Sequence, residues 1–487
     1  MTTYDRAEAA VSAERIDSAL AGTKREPYWL DDPRRPEALP AARGSLDTDL
    51  AVVGGGYTGL WTALLAKERD PKRRVVLLEG KRIGWAASGR NGGFCEASLT
   101  HGASNGERHL PKETARLHEL GLENVREIGE TVRRYNMDCG YEETGVLRVA
   151  SEEHQVAWLQ ADAEKHPELI YMDRDRVREE VNSPVYHAGL WEKEGNVLVQ
   201  PARLAWELRR VCLELGVEIY EHSPVIDLTA GRDQITLTVG GTDAGAADQP
   251  QATVIAQRVA LASNVFPSLL RRARPFTVPV WDYALMSNPL TAEQSEALGW
   301  AENQGLADMN NRFHYIRKTR DDEGRERILF GGYDALYHFG KGLNEEYYHS
   351  EPTYRRLVAH FYETFPVLGD LGFSHAWGGA IDSCSRFFSF FTRAHGDRVV
   401  GSSGYTGLGV GATRFGANVT LDLLDGLDNE RTRLKLVRKK PIPFPPEPVA
   451  WMGVQITTSE MARSDRNQGK RGLWLSTMDA VGMGFDS

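Results

Sequence analysis

Glycines at 54, 56 and 59, followed by an acidic residue at Glu79, are the residues of this chain whose spacing speaks most directly of chemistry. G-x-G-x-x-G at the passage from a strand into a helix cradles a pyrophosphate. Gly54 permits the tight turn, Gly56 lets phosphates approach the backbone, and Gly59 lets the helix pack closely on the strand. The phosphates then meet the free N–H groups of a helix N-terminus. Glu79 falls about 20 residues after the last glycine, where a carboxylate accepts hydrogen bonds from an adenosine ribose. An acid at that place disfavours a 2′-phosphate, so FAD or NAD suits the site better than NADP. Tyr57 and Thr58 within the turn, and Gly80 and Lys81 after the acid, complete this group of candidate nucleotide contacts.

A second group follows at once. Residues 83–93 run through Ile83, Gly84, Ala87, Ser88, Gly89, Arg90, Asn91, Gly92 and Gly93. Bulky side chains here would obstruct a flat ring system lying on the backbone, and Arg90 could meet a pyrophosphate or a polar ring edge. A plain loop is the alternative. A third group, Gly404, Tyr405, Thr406, Gly407, Leu408 and Gly409, leads from an apolar strand at 398–400 into a helix reaching about residue 424. A helix N-terminus reached through glycines presents a positive end, which suits the carbonyl edge of a reduced flavin.

The elements that must position these groups are legible as periodicity. Residues 50–53 and 75–78 are short apolar runs of buried parallel-strand type, with a helix expected over 59–67 between them. Helical spacing recurs at 111–135, 152–166, 174–180, 204–215 and 354–365, and strands are expected at 145–150, 217–220, 225–228, 235–239, 257–262, 312–317 and 327–333. Residues 240–252 read as a polar, glycine-rich turn. Residues 1–45 read as an arm over the surface, with a helix at 7–20 and an anchor at Tyr28, Trp29 and Leu30. Residues 431–487 open with a basic run and prolines and read as an extended strap, a subunit contact or a cover over the site.

The 487 residues, 41% apolar and 26% charged, suffice for two or three domains with a large core. A net charge of −10 gives no footprint for nucleic acid and points to small-molecule partners. Cys95, Cys139, Cys212 and Cys384 lack metal or disulfide spacing and read as reduced thiols of a cytoplasmic protein; no metal site is expected. No apolar run is long enough to span a bilayer.

With these pieces in place, the chain resembles the FAD-dependent amine oxidoreductases of the D-amino-acid oxidase and glycine/sarcosine oxidase superfamily, most closely the γ-glutamylputrescine-oxidase-like branch. The three groups above and the run Trp377, Gly378, Gly379 carry the likeness, over residues 45–430. It implies an α/β fold: a Rossmann-like FAD-binding domain with an inserted α+β substrate domain on a mixed sheet. The expected boundaries give the FAD domain residues 46–105, 190–275 and 381–430, and the substrate domain residues 106–189 and 276–380. The implied reaction moves a hydride from an amine-bearing carbon to flavin N5, followed by imine hydrolysis, and the implied acceptor is oxygen or another carrier. Val225 falls where members of the superfamily set a backbone amide on the adenine. A homo-oligomer is compatible with these features.

The sequence departs from the superfamily in three places. Asp382 occupies the neighbourhood of a flavin-tethering cysteine, which implies non-covalent FAD, with Cys384 as the alternative tether. Phe330 falls where some members carry a lysine that activates oxygen, and Leu408 where many carry histidine. For the substrate, Tyr315, Arg317, Tyr333, Trp377 and Arg386 are expected to form an aromatic box with a cationic end for a carboxylate. His314 and His338 are nearby, but His314 alternates with Tyr315 and is expected to face away. Two further readings remain open at this point: a non-catalytic flavin-binding assembly protein, and an NAD-dependent dehydrogenase, which would leave the third group unused.

Overall fold

The computed structural model describes residues 1–241 and 250–483. Its architecture follows from two eight-stranded sheets. In the first, the order is Phe390–Ala394, Val399–Ser403, Pro250–Leu261, Gly44–Val53, Val75–Leu78 and Glu218–Tyr220, with the strands Val225–Ala230 and Ile235–Gly240 added as a hairpin on Pro250–Leu261. The central strands are parallel, and Val53 sits level with Leu78 on one side and Leu261 on the other. Both faces are covered, which is why these strands read as unbroken apolar runs. Leu50, Val52, Val75 and Leu77 pack under the helices Tyr57–Arg69, Pro201–Glu214 and Gly409–Leu424, while Ala51, Val53, Val76 and Leu78 face the hairpin layer. Each such buried Val or Leu contributes about 1.5–3 kcal/mol.

The second sheet is mixed, in the order Phe373–Ser383, Val278–Ser287, Glu326–Gly332, His314–Arg320, Gly305–Asp308, Val146–Ala150, Ala188–Glu192 and Ile170–Met172. Helix Glu351–Thr364 covers one face through Leu357, Val358 and Phe361, with Phe365 at its C-cap. The fold is thus α/β, a nucleotide-binding unit of Rossmann type beside a mixed-sheet unit. The expected boundary at 380/381 falls inside the strand Phe373–Ser383, and the one at 189/190 inside Ala188–Glu192.

Several sequence expectations change. The helix expected at 7–20 is two helices, Thr3–Ala10 and Ala13–Leu20, because Ser12 breaks the first and caps the second by accepting from the Arg15 N–H. They are not a surface arm: Tyr4, Ile16, Ala19 and Leu20 enter the second core. The anchor at Trp29 is 1% exposed and donates from Nε1 to the Asn91 carbonyl at 2.9 Å. The C-terminal strap is largely helical, at Val449–Arg466 and Leu473–Ala480, because the prolines end at Pro448, which sits at the N-cap of the first. Asp465 in that helix accepts from Asn311 N–H and Nδ2, at 2.8 and 2.7 Å, and so fastens the C-terminal segment to the second sheet. The strand expected at 257–262 spans Pro250–Leu261, extended by its hairpin partner. The turn expected at 240–252 lies outside the described residues from 242 to 249. Among the described residues no helix is long and apolar enough to cross a membrane, and the four cysteines are buried free thiols.

Candidate active site

A cavity of about 600 Å³ runs between the two sheets, within the range of cofactor pockets. At one end it is lined by the turn Gly54, Gly55, Gly56, Tyr57, Thr58, and by Glu79, Gly80, Lys81 and Val225. The turn has the shape a phosphate needs. Gly54 has φ +111°, and a Cβ there would lie 2.4 Å from the Ala262 carbonyl oxygen; a Cβ on Gly59 would lie 1.9 Å from the Gly54 oxygen. Helix Tyr57–Arg69 has no side-chain cap of its own, and its first N–H, on Tyr57, donates to Ser88 Oγ at 3.0 Å. Glu79 accepts from the Gly55 and Lys81 N–H groups, at 2.6 and 2.8 Å, and from Trp85 Nε1 at 2.9 Å. Burial raises its carboxyl pKa and these donors oppose the rise. Three donors leave roughly one of about four lone-pair positions for a ribose hydroxyl.

The middle of the cavity is lined by Ala87, Ser88, Arg90, Asn91 and Gly92 on one side and by Tyr405, Gly407, Leu408 and Gly409 on the other. Helix Gly409–Leu424 begins here without a side-chain cap, so its free N–H groups face the lining. Arg90 is not held for a pyrophosphate: Nε donates to the Trp85 carbonyl at 2.9 Å and Nη1 to the Gly378 carbonyl at 3.0 Å. Its guanidinium lies 4.2 Å over the Tyr348 ring. Gly59, Gly89, Gly93, Gly404 and Thr406 stand behind the wall and shape it. A Cβ on Gly89 would meet the Gly84 oxygen at 2.2 Å, and one on Gly93 the Val199 oxygen at 2.2 Å. Asp382 lines the cavity and accepts from the Gly404 N–H; burial pushes its carboxyl up to about 7. Cys384 is turned away, donating to the Phe388 and Gly404 carbonyls at 3.2 and 3.4 Å, and is 1% exposed.

At the far end the second sheet forms the floor. Cross-strand register places Trp377, Ala284, Gly331 and Tyr315 in one row over four strands. Two small residues thus lie between two aromatic walls. The Tyr315 ring lies across Gly331, where a Cβ would come within 2.5 Å of it, and reaches Asp282 two strands away, its hydroxyl donating to Oδ2 at 2.7 Å. Burial pushes the Asp282 carboxyl up to about 6, against the hydrogen bonds from Tyr315 and the Tyr283 N–H.

The other three expected substrate residues are elsewhere. Arg317 is buried with Nη1 donating to the Val199 carbonyl at 2.6 Å, because on this face of the strand the Pro201–Glu214 helix start closes over it. Arg386 donates from Nη1 and Nη2 to the Lys439 and Leu436 carbonyls, each at 2.9 Å, and to the Phe388 and Ser389 carbonyls, so it fastens the C-terminal segment. Tyr333 follows Gly332, φ +101°, and has φ +66° itself, so strand alternation ends before it. Its ring turns to the opposite layer and stacks on His314 at 5.2 Å. His314 does face away from Tyr315, in a buried chain from Asp308 through His314 to His360, at 2.6 and 2.9 Å. His338 stacks on Tyr347. Phe330 is in the core on the same far face, and among the described residues the lysine that lines the cavity is Lys81, at the end of the glycine turn.

Asp282, Glu96, His101 and Phe313 also line the cavity. Asp282 carries a signal in the sequence, a lone carboxylate in the apolar strand Val278–Ser287. His101 carries none, yet its Nε2 lies 3.9 Å from where a Cβ on Gly407 would be, beside Leu408, and burial pushes its pKa down to about 4, leaving it neutral at pH 7.

This is the site of a dinucleotide flavoenzyme fold, and comparison with known proteins agrees. Residues 49–423 match the family model described as DAO, FAD dependent oxidoreductase. The chain belongs to this family of FAD-dependent oxidoreductases. The γ-glutamylputrescine oxidoreductase of Escherichia coli is 29% identical over 393 residues, which cover 80% of this chain and 85% of that protein. The probable oxidoreductase OrdL of Haemophilus influenzae is 24% identical over 421 residues, covering 83% and 89%. Among solved structures, glycine oxidase from Bacillus cereus superposes with a TM-score of 0.63 at 18% identity, covering 80% of this chain and 98% of that one. Family membership assigns FAD in place of NAD, and the phosphate turn, the Glu79 end and the uncapped helix start at Gly409 are the parts of this chain that fit it.

Proposed function

We propose that this protein oxidises a small amine or amino acid, with loss of a hydride from the carbon bearing nitrogen and hydrolysis of the resulting imine to an aldehyde or keto product and ammonia or an amine. When bound, FAD supplies the two-electron acceptor for that hydride. The carrying observation is one continuous cavity that joins the phosphate turn at Gly54 to Gly56 with the aromatic floor of Tyr315 and Trp377. The names of the γ-glutamylputrescine and glycine-oxidising relatives support a nitrogen-bearing substrate. In this reading Gly56, Tyr57 and Ser88 bind the pyrophosphate, Glu79 and Val225 the adenosine, and the Gly407 to Gly409 helix start the pyrimidine edge of the ring. Tyr315 and Trp377 wall in the substrate and exclude water, which strengthens every electrostatic interaction with it. Asp382 is held in the Gly404 turn and Cys384 is turned inward, which supports FAD held without a covalent bond.

The test is an anaerobic absorbance scan of the yellow protein against alkylamines, N-methyl amino acids and γ-glutamylated polyamines. Bleaching by one class supports the proposal and names the substrate class. A protein that takes up FAD but is bleached by none of these nitrogen compounds overturns it.

A further inference from the structure

The lining carries four carboxylates, Glu79, Glu96, Asp282 and Asp382, against two permanent cations, Lys81 and Arg90. Three of these six charges belong to other tasks. Glu79 is held by three donors at the nucleotide end, Asp382 by the Gly404 turn, and Lys81 pairs with Glu345 at 2.7 Å over the Trp85 ring. Arg90 spends Nε and Nη1 on backbone carbonyls. Arg317 and Arg386, the residues that would have clamped a carboxylate, do not line the cavity: Arg317 donates from Nη1 to the Val199 and Gly92 carbonyls, and Arg386 to those of Lys439 and Leu436. What remains at the aromatic end is Asp282, half-buried and reached through the cavity, with Glu96 two residues along the strand from Phe94, whose ring stands 6.1 Å from Tyr315. An ionised carboxylate beside aromatic faces attracts an ammonium, by charge and by cation–π interaction, and repels a carboxylate.

Building on the proposed amine oxidation, we propose that the substrate is an aliphatic amine without a carboxylate on the reacting carbon, and that Asp282 is the specificity-determining residue that pairs with its ammonium group on entry; the nitrogen then releases one proton to solvent, so that its lone pair is available as the hydride leaves. Tyr315 acts as a positioning residue: its hydroxyl holds Oδ2 at 2.7 Å, while the Tyr283 N–H holds Oδ1 at 2.8 Å, so the carboxylate is fixed in orientation and keeps lone pairs toward the cavity.

The experiment uses the FAD-loaded protein and two inert probes of one shape and opposite charge, tert-butylammonium and pivalate, titrated while the absorbance of the bound flavin is followed. Neither has a hydrogen on the carbon that would react, so binding is read without turnover, and this result stands whether or not any amine bleaches the flavin. A charge-assisted pairing predicts that tert-butylammonium binds about tenfold or more tighter than pivalate, and that Asp282→Asn abolishes the difference while Asp282→Glu restores part of it. Equal binding, or tighter binding of pivalate through the remaining Nη2 of Arg90, overturns the proposal. The wild-type comparison decides even if the variants fold poorly, and an unchanged preference in a folded Asp282→Asn protein also overturns it.

Discussion

The Tyr315 hydroxyl donates to Asp282 Oδ2 at 2.7 Å across an intervening strand, and the two side chains meet because the residue between them is Gly331. One missing side chain lets an aromatic ring lie flat on the sheet and delivers a half-buried carboxylate to the aromatic end of the cavity. Replacing Gly331 with alanine puts a Cβ 2.5 Å from the Tyr315 ring, and overpacking of that kind costs about 1–3 kcal/mol. The variant is expected to keep FAD and lose amine turnover, measured as flavin content and kcat/KM.

The pH dependence of cation binding follows from Asp282. Its neighbours are the Tyr315 hydroxyl and Tyr283 N–H, which favour the anion, and the more distant Asp334, which opposes it; burial dominates and sets the carboxyl at about 6. Below that pH the group is protonated and the attraction is lost. The Kd of tert-butylammonium, which stays charged throughout, is expected to rise as pH falls through about 6 and to be flat only above the range in which Glu96 and Asp382, both pushed up to about 7 by burial, also titrate. Bound cation favours the anion, so the complex titrates lower than the free site. Removing the Tyr315 donor by Tyr315→Phe is expected to move the transition to higher pH, and Asp282→Asn to remove it.

Gly59 and Gly56 separate packing from cofactor binding. A Cβ on Gly59 would lie 1.9 Å from the Gly54 oxygen, a backbone atom that cannot step aside, whereas one on Gly56 meets only Ser88 Oγ, at 3.0 Å. Gly59→Ala is expected to lower both melting temperature and FAD content, with a stability loss of about 1–3 kcal/mol or more. Gly56→Ala is expected to leave the apoprotein melting temperature within a few degrees, about what less than 1 kcal/mol shifts, and to weaken FAD, because the Cβ stands where the phosphate approaches.

Arg386→Ala is expected to act on the C-terminal segment and not on substrate binding. Its guanidinium joins carbonyls of Lys439 and Leu436 to those of Phe388 and Ser389. Leaving such buried acceptors without a donor costs about 1–3 kcal/mol or more. Thermal unfolding and limited proteolysis of residues 435–483 should report the loss while the KM for amine stays within about twofold, under 0.5 kcal/mol in free energy.

Electron transfer to oxygen is expected to be slow. A cation beside the reduced ring stabilises the superoxide anion that forms first, and among the described residues the permanent cations lining the cavity are Lys81, near the glycine turn, and Arg90, engaged with two carbonyls. After anaerobic bleaching, air should restore the yellow colour more slowly than a quinone does at equal concentration.

The amino-acid sequence by itself determined the glycine turn and the strands around it, because that geometry is local. Gly54, Gly56 and Gly59 lie within a few residues, the strands that flank them are buried on both faces and so read as apolar runs, and Glu79 follows at the end of the next strand. The same locality made the start of helix Gly409–Leu424 legible. The aromatic end of the cavity was decided by tertiary structure. Period two placed His314 and Tyr315 on opposite faces of their strand, but which face the cavity occupies depends on the layers that cover each one. Arg317 shares a face with Tyr315 and is still excluded, since the chain around Val199 closes over it. Tyr333 leaves that face because positive φ at Gly332 and at Tyr333 ends the alternation. Arg386 is taken by carbonyls fifty residues further on. Asp282 enters because Gly331, distant in sequence, leaves room for Tyr315 to reach it. A glycine turn carries its function in its own backbone, whereas a pocket side chain acquires its role from neighbours that only folding brings to it.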